Sequence, residues 1–382
     1  MDFNFTEEQQ LLADTVQRFV REEYSFEKRR EILKSTAGWS RDTWNSLAAL
    51  GLTALNVPEE HGGLNAGTVE TMMVMHALGE GLLLEPYLAA AIVSPALIAR
   101  LNDAKAASEL MPAIASGERI VIVAHQEPQA RGELNHVVTR AEKSGDGYVL
   151  DGYKCVIQHG GIADELLVTA RTSGKPTDTD GISVFRVTPQ TAGVTVTSAR
   201  TIDGQQAAEI TLKGVKLPAS ALIGTAGKAF AAIEGAHEIA ISAICAEAVG
   251  IMEAINKTTL EYTKSRKQFG QPISKFQVLQ HRMADMFIQA EQAKSMSYVA
   301  AIRCNEDDVV ERRRSLSAAK VVIGQAGRYV GQNAIQLHGG MGMTDELMVS
   351  HHFKRLTIID LTFGDSDFHL QRFIGAGPGQ AA

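Results

Sequence analysis

The residue patterns along the chain predict an α, then β, then α architecture. A helical domain is expected over residues 1–118, a β-barrel domain over 119–225, and a helical bundle, read as four helices, over 226–382. Three observations predict it. Apolar residues recur at helical spacing up to about residue 118. Short β-rich runs separated by Gly, Thr and Pro crowd the next hundred residues. No proline then occurs between Pro272 and Pro378, where the apolar period is again helical.

Thr6 before Glu7 and Glu8 opens the first helix, and Leu11, Leu12, Val16, Phe19 and Val20 give it an apolar stripe. Trp44, Leu47, Leu50 and Leu52 mark another helix. Pro58 to Gly63 has loop chemistry, and Val69 to Leu83 begins the next helix pair. The most apolar stretch, Leu82 to Leu101, is interrupted by Glu85, Pro86 and Pro95 and is not expected to span a bilayer. In the middle region, Gly147 to Ile157 reads as two strands around an Asp151-Gly152 hairpin turn. Leu166–Ala170, Ile182–Val187, Val194–Val196 and Ala208–Leu212 read as further strands of a small barrel or sandwich. Ile233–Tyr262, Phe276–Ala301 and Leu316–Leu337 read as long antiparallel helices, and the Gly/Ala-rich tail from Gly375 is expected to fray.

Apolar residues make up 45% and charged residues 21% of the chain, a globular balance. The net charge of −7 supplies no basic field for nucleic acid or an anionic membrane. Cys155, Cys245 and Cys304 are far apart and match no metal spacing, which fits a reducing compartment. The acidic start MDFNFTEEQQ has neither signal-peptide nor transit-peptide character, so a cytoplasmic protein is expected.

Common phosphate, zinc and nucleophile motifs are absent: there is no GxGxxG after a strand, and no GxxxxGK[ST], HExxH or GxSxG. His351-His352 invites a metal reading, but neighbouring helical positions point apart, so surface or interface histidines are expected there instead. Two stretches carry more chemistry than a connection needs. Arg266 to Gln280 (RKQFGQPISKFQVLQ) combines a guanidinium suited to a pyrophosphate, the apolar face of Phe269, and the carboxamides of Gln271, Gln277 and Gln280. Plain interface packing is the alternative. Gln336 to Asp345 (QLHGGMGMTD) has glycines that permit close backbone approach to a ligand, and Thr344-Asp345 could cap the next helix; a simple helix-turn-helix is the alternative.

Together these stretches resemble the acyl-CoA dehydrogenase family. So do the TEEQ start, the Leu47–Gly63 run LAALGLTALNVPEEHGG, and the α-β-α order. The resemblance implies that family's fold and a flavoenzyme holding FAD non-covalently at a subunit interface, usually in a tetramer. It also implies an acyl-CoA thioester as substrate and electron-transferring flavoprotein as acceptor. Arg266, Phe269 and Gln277 match positions that contact the neighbouring subunit's FAD; Gln336, Gly339 and Gly340 match the turn at its adenosine diphosphate. Gln126, in His125-Gln-Glu-Pro128, matches the strand beside the flavin. Gln158, in Val156-Ile-Gln158, falls where the family has Thr or Ser, and Val156 where it has a ring-stacking Trp.

The catalytic base departs furthest. The family's Tyr-Glu-Gly-Thr corresponds here to Thr362-Phe363-Gly364-Asp365. An ungapped count puts Phe363 at the base; a two-residue adjustment lets Asp365 serve instead. Where some members keep a base and an arginine on the preceding long helix, this chain has Ala240-Ile241. Glu234 and Glu238, one turn apart on that helix, read as a solvated face. The FGDSDFH ending and Gly160 to Arg171 are most similar to the small subunit of heteromeric pimeloyl-CoA-type dehydrogenases. Three readings follow: a dehydrogenase homotetramer with Asp365 as base, a non-catalytic partner subunit of a heterotetramer, and a nitroalkane-type flavin oxidase on the same scaffold.

Overall fold

The computed structural model describes residues 5–375. In chain order it gives α1 (Glu7–Glu22), α2 (Phe26–Lys34), α3 (Arg41–Ala49), α4 (Thr68–Gly81), a π-helical segment Tyr87–Val93, α5 (Ser94–Arg100) and α6 (Ala104–Ala115). Strands follow: β1 (Val121–Ala124), β2 (Arg140–Ser144), β3 (Gly147–Gln158), β4 (Glu165–Arg171), β5 (Ile182–Val187), β6 (Val194–Arg200), β7 (Gln206–Pro218) and β8 (Leu222–Ile223). The remainder comprises α7 (Phe230–Ser265), the two-residue strands β9 (Lys267–Gln268) and β10 (Gln271–Pro272), α8 (Gln277–Arg303), α9 (Val309–His338), α10 (Met348–Leu361) and α11 (Ser366–Gly375). Among the described residues, no helix is long and apolar enough to cross a membrane. The tail beyond Gly375 lies outside the described residues.

The chain packs as two units. One comprises Met1–Lys34, Thr68–Leu83 and Ile241–Ala382; the other comprises Ser35–Gly67 and Leu84–Ala240. In the first, α1 opens on a reciprocal cap: Gln9 N donates to Thr6 Oγ1 (3.2 Å) and Thr6 N to Gln9 Oε1 (3.0 Å). Helices α4 and α7 touch backbone to backbone. A Cβ on Gly79 would lie 2.4 Å from Glu247 O, and one on Gly250 2.0 Å from His76 O. That approach brings His76 Nε2 within 3.1 Å of Glu253, whose other oxygen accepts from Lys294 at 3.0 Å. Helix α9 carries Gly324, Gly327 and Gly331 on one face, and added Cβ atoms there would meet Asp360, Leu356 and Phe353 of α10. The guanidinium of Arg355 on α10 grips Glu247 on α7 through two bonds of 2.5 and 2.8 Å, both residues buried.

The second unit holds an eight-stranded sheet in the order β6-β7-β3-β2-β4-β5-β8, with β1 parallel to β4. One apolar cluster joins Leu97 and Ile98 of α5 and Leu110, Met111 and Ile114 of α6 to Val121, Leu167 and Val184 of the sheet.

Several expectations change. Asp151-Gly152 is not a hairpin turn. The residues from Gly147 to Gln158 form one strand paired with β7, and its register shifts between Leu150 and Gly152. Asp151 Oδ1 accepts from Gly214 N at 2.7 Å, and a Cβ on Gly152 would fall 2.4 Å from Thr139 Oγ1, so the glycine serves a close approach. The hairpin turn lies one pair earlier, at Gly145-Asp146 between the paired Ser144 and Gly147. His351 and His352 are buried rather than exposed: His351 Nδ1 lies 3.1 Å from Arg29 Nη1, and His352 Nε2 lies 3.1 Å from Glu80 O. Glu234 and Glu238 are buried, not a solvated face. Thr344-Asp345 does not cap α10. Leu347 takes the cap position, while Thr344 Oγ1 donates to Met341 O.

Gly250→Ala should therefore cost about 1–3 kcal/mol, because His76 O cannot yield without separating α4 from α7. Gly340→Ala, where a Cβ meets nothing within 4 Å, should leave the urea midpoint unchanged. Equal midpoints for the two variants would contradict the close crossing.

Candidate active site

The segment between α7 and α8 is a small hairpin. Gln268 pairs with Gln271 and Lys267 with Pro272, leaving Phe269-Gly270 at the tip with φ of +53° and +81°. Two successive positive φ values close a tight turn whose twist suits a hairpin, and Gly270 accepts its share freely. Phe269 does not. It holds a left-handed backbone with its ring 90% exposed, an arrangement that offers an apolar face outward. Arg266 is exposed beside it, and its backbone N–H donates to Tyr262 O at 2.8 Å. Gln277 is the exposed first residue of α8.

The Gln336–Thr344 turn follows α9. Gly339 has φ +59° and ψ −141°, a conformation open only to glycine. Added Cβ atoms on Gly339 and Gly340 meet nothing within 4 Å, so this backbone is bare to a ligand. The turn is held from behind: the Tyr262 ring stacks on His338 with centroids 4.3 Å apart, and Tyr262 Oη donates to His338 O at 3.2 Å. Gln336 is exposed one turn earlier.

The connection between α10 and α11 carries Phe363-Gly364-Asp365. Phe363 and Gly364 both have positive φ, +62° and +96°. The buried Lys320 ammonium donates to Ile359 O (2.8 Å), Asp360 O (2.9 Å) and Gly364 O (3.0 Å). It thus gathers carbonyls at the end of α10, where the negative end of the helix dipole favours a cation. Burial holds this ammonium below its ordinary pKa. Asp365 caps α11: its Oδ1 accepts from Phe368 N at 2.8 Å, and its carbonyl accepts from His369 N.

In the sheet unit, Gln126 and Val156 are exposed, and Gln158 is half-buried. Val156 sits in a bulge at φ +50°, where the β3–β7 register slips between Lys154 and Ile157. Gln126 O accepts from Cys155 N at 3.0 Å, which sets Gln126 beside the bulge. Beneath them lies a buried ion pair, Lys154 Nζ to Glu127 Oε1 at 2.6 Å. Burial works to raise the Glu127 pKa, but the Lys154 charge and bonds from Lys154, Thr139 and Val138 bring it down to about 2. Burial pulls Lys154 down to about 8 in spite of its partner.

Profiles of the acyl-CoA dehydrogenase N-terminal, middle and C-terminal domains fit residues 6–118, 123–215 and 230–376. The chain is 30% identical over 379 residues to the probable acyl-CoA dehydrogenase YngJ of Bacillus subtilis, covering 98% of both proteins. The chain belongs to the acyl-CoA dehydrogenase family. Among solved structures it resembles the ChsE4-ChsE5 complex of Mycobacterium tuberculosis (TM-score 0.86, 27% identity, 98% of each chain). It also resembles butyryl-CoA dehydrogenase of Megasphaera elsdenii (TM-score 0.89, 25% identity, 98% and 99% of the two chains).

As a member of a flavoprotein oxidoreductase family, the chain has groups that suit a flavin dinucleotide. The bare Gly339-Gly340 backbone, the exposed Arg266 guanidinium and the outward Phe269 ring are fit for a phosphate-bearing aromatic ligand. Val156 is an exposed apolar residue on the sheet unit. Lys154, Lys320 and Tyr262 were not picked out from sequence. A lysine inside an otherwise apolar strand or helix face was the available signal for the first two.

Glu127 at about 2, against 4.5 ordinarily, lends stability that is complete above about pH 4.5 and lost as pH falls toward 2. Glu127→Gln should flatten that acid limb in pH-dependent urea unfolding. It should also cost about 3–5 kcal/mol at neutral pH, because the buried Lys154 must then either carry an unpaired charge or give up its proton. Asp365→Ala should cost about 1 kcal/mol as a lost cap, and Asp365→Asn only a few tenths, approximately.

Proposed function

We propose that this chain is the FAD-binding, base-lacking subunit of a heterotetrameric acyl-CoA dehydrogenase. The assembly would carry out α,β-desaturation of an acyl-CoA thioester in the cytoplasm and pass electrons to electron-transferring flavoprotein. One observation carries the reading: the acidic side chain on the α10–α11 connection, Asp365, is turned into the first turn of α11 as its cap. The ungapped family position of the base is occupied by Phe363. Support comes also from the likeness to a complex named for two chains, ChsE4-ChsE5.

FAD supplies the hydride acceptor for the substrate β carbon. The chain's own residues bind and orient. Arg266 offers a bidentate grip on the pyrophosphate, Phe269 an apolar face, and Gln277 a carboxamide for a heteroatom edge. Gln336, Gly339 and Gly340 present the turn that receives the adenosine diphosphate, with Tyr262 and His338 holding its shape. Gln126 and Gln158 offer carboxamides, and Val156 an apolar contact, to the ring system. Removing the α proton needs a free carboxylate at the thioester, and in this reading a related chain brings it.

A second reading is the homotetramer with Asp365 as base. It is favoured by the partial exposure of Asp365 and by the engagement of only Oδ1 in the cap.

Visible spectra before and after anaerobic addition of an acyl-CoA series separate the two. The pure chain should hold flavin that does not bleach. Co-expression with a base-bearing homologue should restore bleaching, and Asp365→Asn should leave the complex within about threefold of its original rate. Bleaching of the pure chain, lost by about 10²–10⁴-fold in Asp365→Asn, would establish Asp365 as base instead.

A further inference from the structure

The ion pair beneath the exposed face of the sheet has a geometry that sheet stability does not require. Lys154 is fully buried, and its ammonium makes three bonds: to Glu127 Oε1 (2.6 Å), to His125 O (3.2 Å) and to Thr169 Oγ1 (3.0 Å). Thr169 Oγ1 also lies 3.0 Å from His125 Nδ1. Glu127 Oε1 accepts in addition from Thr139 N (3.2 Å), and Oε2 accepts from Val138 N (2.8 Å) and Gln129 Nε2 (2.7 Å). An apolar pair of the same volume would hold the strands as well or better, since burying two charges costs several kcal/mol, roughly, before their attraction returns any of it.

The bonds go chiefly to the segment after β1. Residues 125 and 127 are both tied to one ammonium, so the residue between them, Gln126, has its backbone fixed from either side while its side chain faces out. The carbonyl of Gln126 is fixed in turn to Cys155 N, next to Lys154 in sequence and next to the exposed Val156 at φ +50°. One buried cation therefore sets the relative placement of two outward-facing positions on different strands. Those are the positions that the flavin reading sets against the ring system.

We propose that Lys154 and Glu127 are positioning residues for the flavin ring, acting through the backbone of His125–Glu127 and the β3 bulge at Cys155-Val156. This inference rests on the FAD reading given above and adds to it the device that shapes the ring-facing surface.

The informative variant is the double substitution Glu127→Gln with Lys154→Met, which removes both charges together and leaves neither buried alone. A merely structural pair, so replaced, would return everything to normal. Positioning predicts a split. The urea midpoint stays near that of the original protein. Amide exchange at Cys155 rises by about tenfold or more while Val168 and Phe185 in β4 and β5 keep their protection. The FAD dissociation constant of the assembled protein rises by about tenfold, with a changed flavin absorption envelope. Normal FAD affinity and spectrum together with unchanged Cys155 exchange would overturn the inference and leave the proposed function standing. Absence of FAD from the unsubstituted protein, alone and with a base-bearing partner, would overturn the proposed function and the flavin role together.

Discussion

Lys320 ends its side chain in the interior of the helical unit, where an ammonium is expensive, and three backbone carbonyls take its three protons. Two belong to the last turn of α10, at the negative end of the helix dipole. The third belongs to Gly364, three residues past the helix. Drawing all three oxygens to one point forces the chain to reverse sharply, which explains the consecutive positive φ values at Phe363 and Gly364. The reversal lays α11 back on α9, where His369 bonds Ser317 and Phe363 O. The conformation of the α10–α11 connection is thus set by one lysine on a different helix.

Close backbone contact sets the rest of that unit. Gly79 and Gly250 let α4 and α7 meet, and Gly324, Gly327 and Gly331 let α10 settle on α9. Helices so near tolerate little sliding, and polar contacts between helices become fixed linkages: the buried Glu247 with Arg355, and the half-buried His76 with Glu253 and Lys294. The sheet unit works by a related device. Lys154 there is satisfied partly by a carboxylate and partly by a loop carbonyl, and again the loop, rather than the core, receives the definition.

Local chemistry was legible in the sequence and distant partnership was not. Thr6, the proline-free helices and the β-rich runs report on neighbours a few residues away, and each produced its element. Asp151-Gly152 misled because the dipeptide's turn preference is local, whereas its use was set by Thr139 on the preceding segment and by Gly214, far along the chain. Glu234, Glu238, His351 and His352 look polar and therefore exposed, yet burial depends on what other segments bring to them. At the candidate site the motifs pointed to the turn and hairpin that present Gly339 and Phe269. Nothing in those motifs announced Lys320 or Lys154, whose bonds run to backbone carbonyls that no side-chain pattern encodes.

The polar groups around the α10–α11 connection are spent on one another. Asp360 accepts from Arg328 and Ser366, at 2.7 Å in each case, Asp365 caps α11, and the Lys320 protons are taken by carbonyls. His369 is fully buried, pulled down to about 4 by burial, and therefore neutral; its Nε2 proton goes to Phe363 O. A catalytic base has the opposite requirement: a carboxylate whose lone pair is uncommitted until substrate arrives, in surroundings that can accept a change of charge. A segment whose Asp360, Asp365 and His369 bonds hold its own shape meets the needs of a scaffold. A carboxylate at position 363 would lie beside a carbonyl already bonded to His369, on backbone held in the left-handed region.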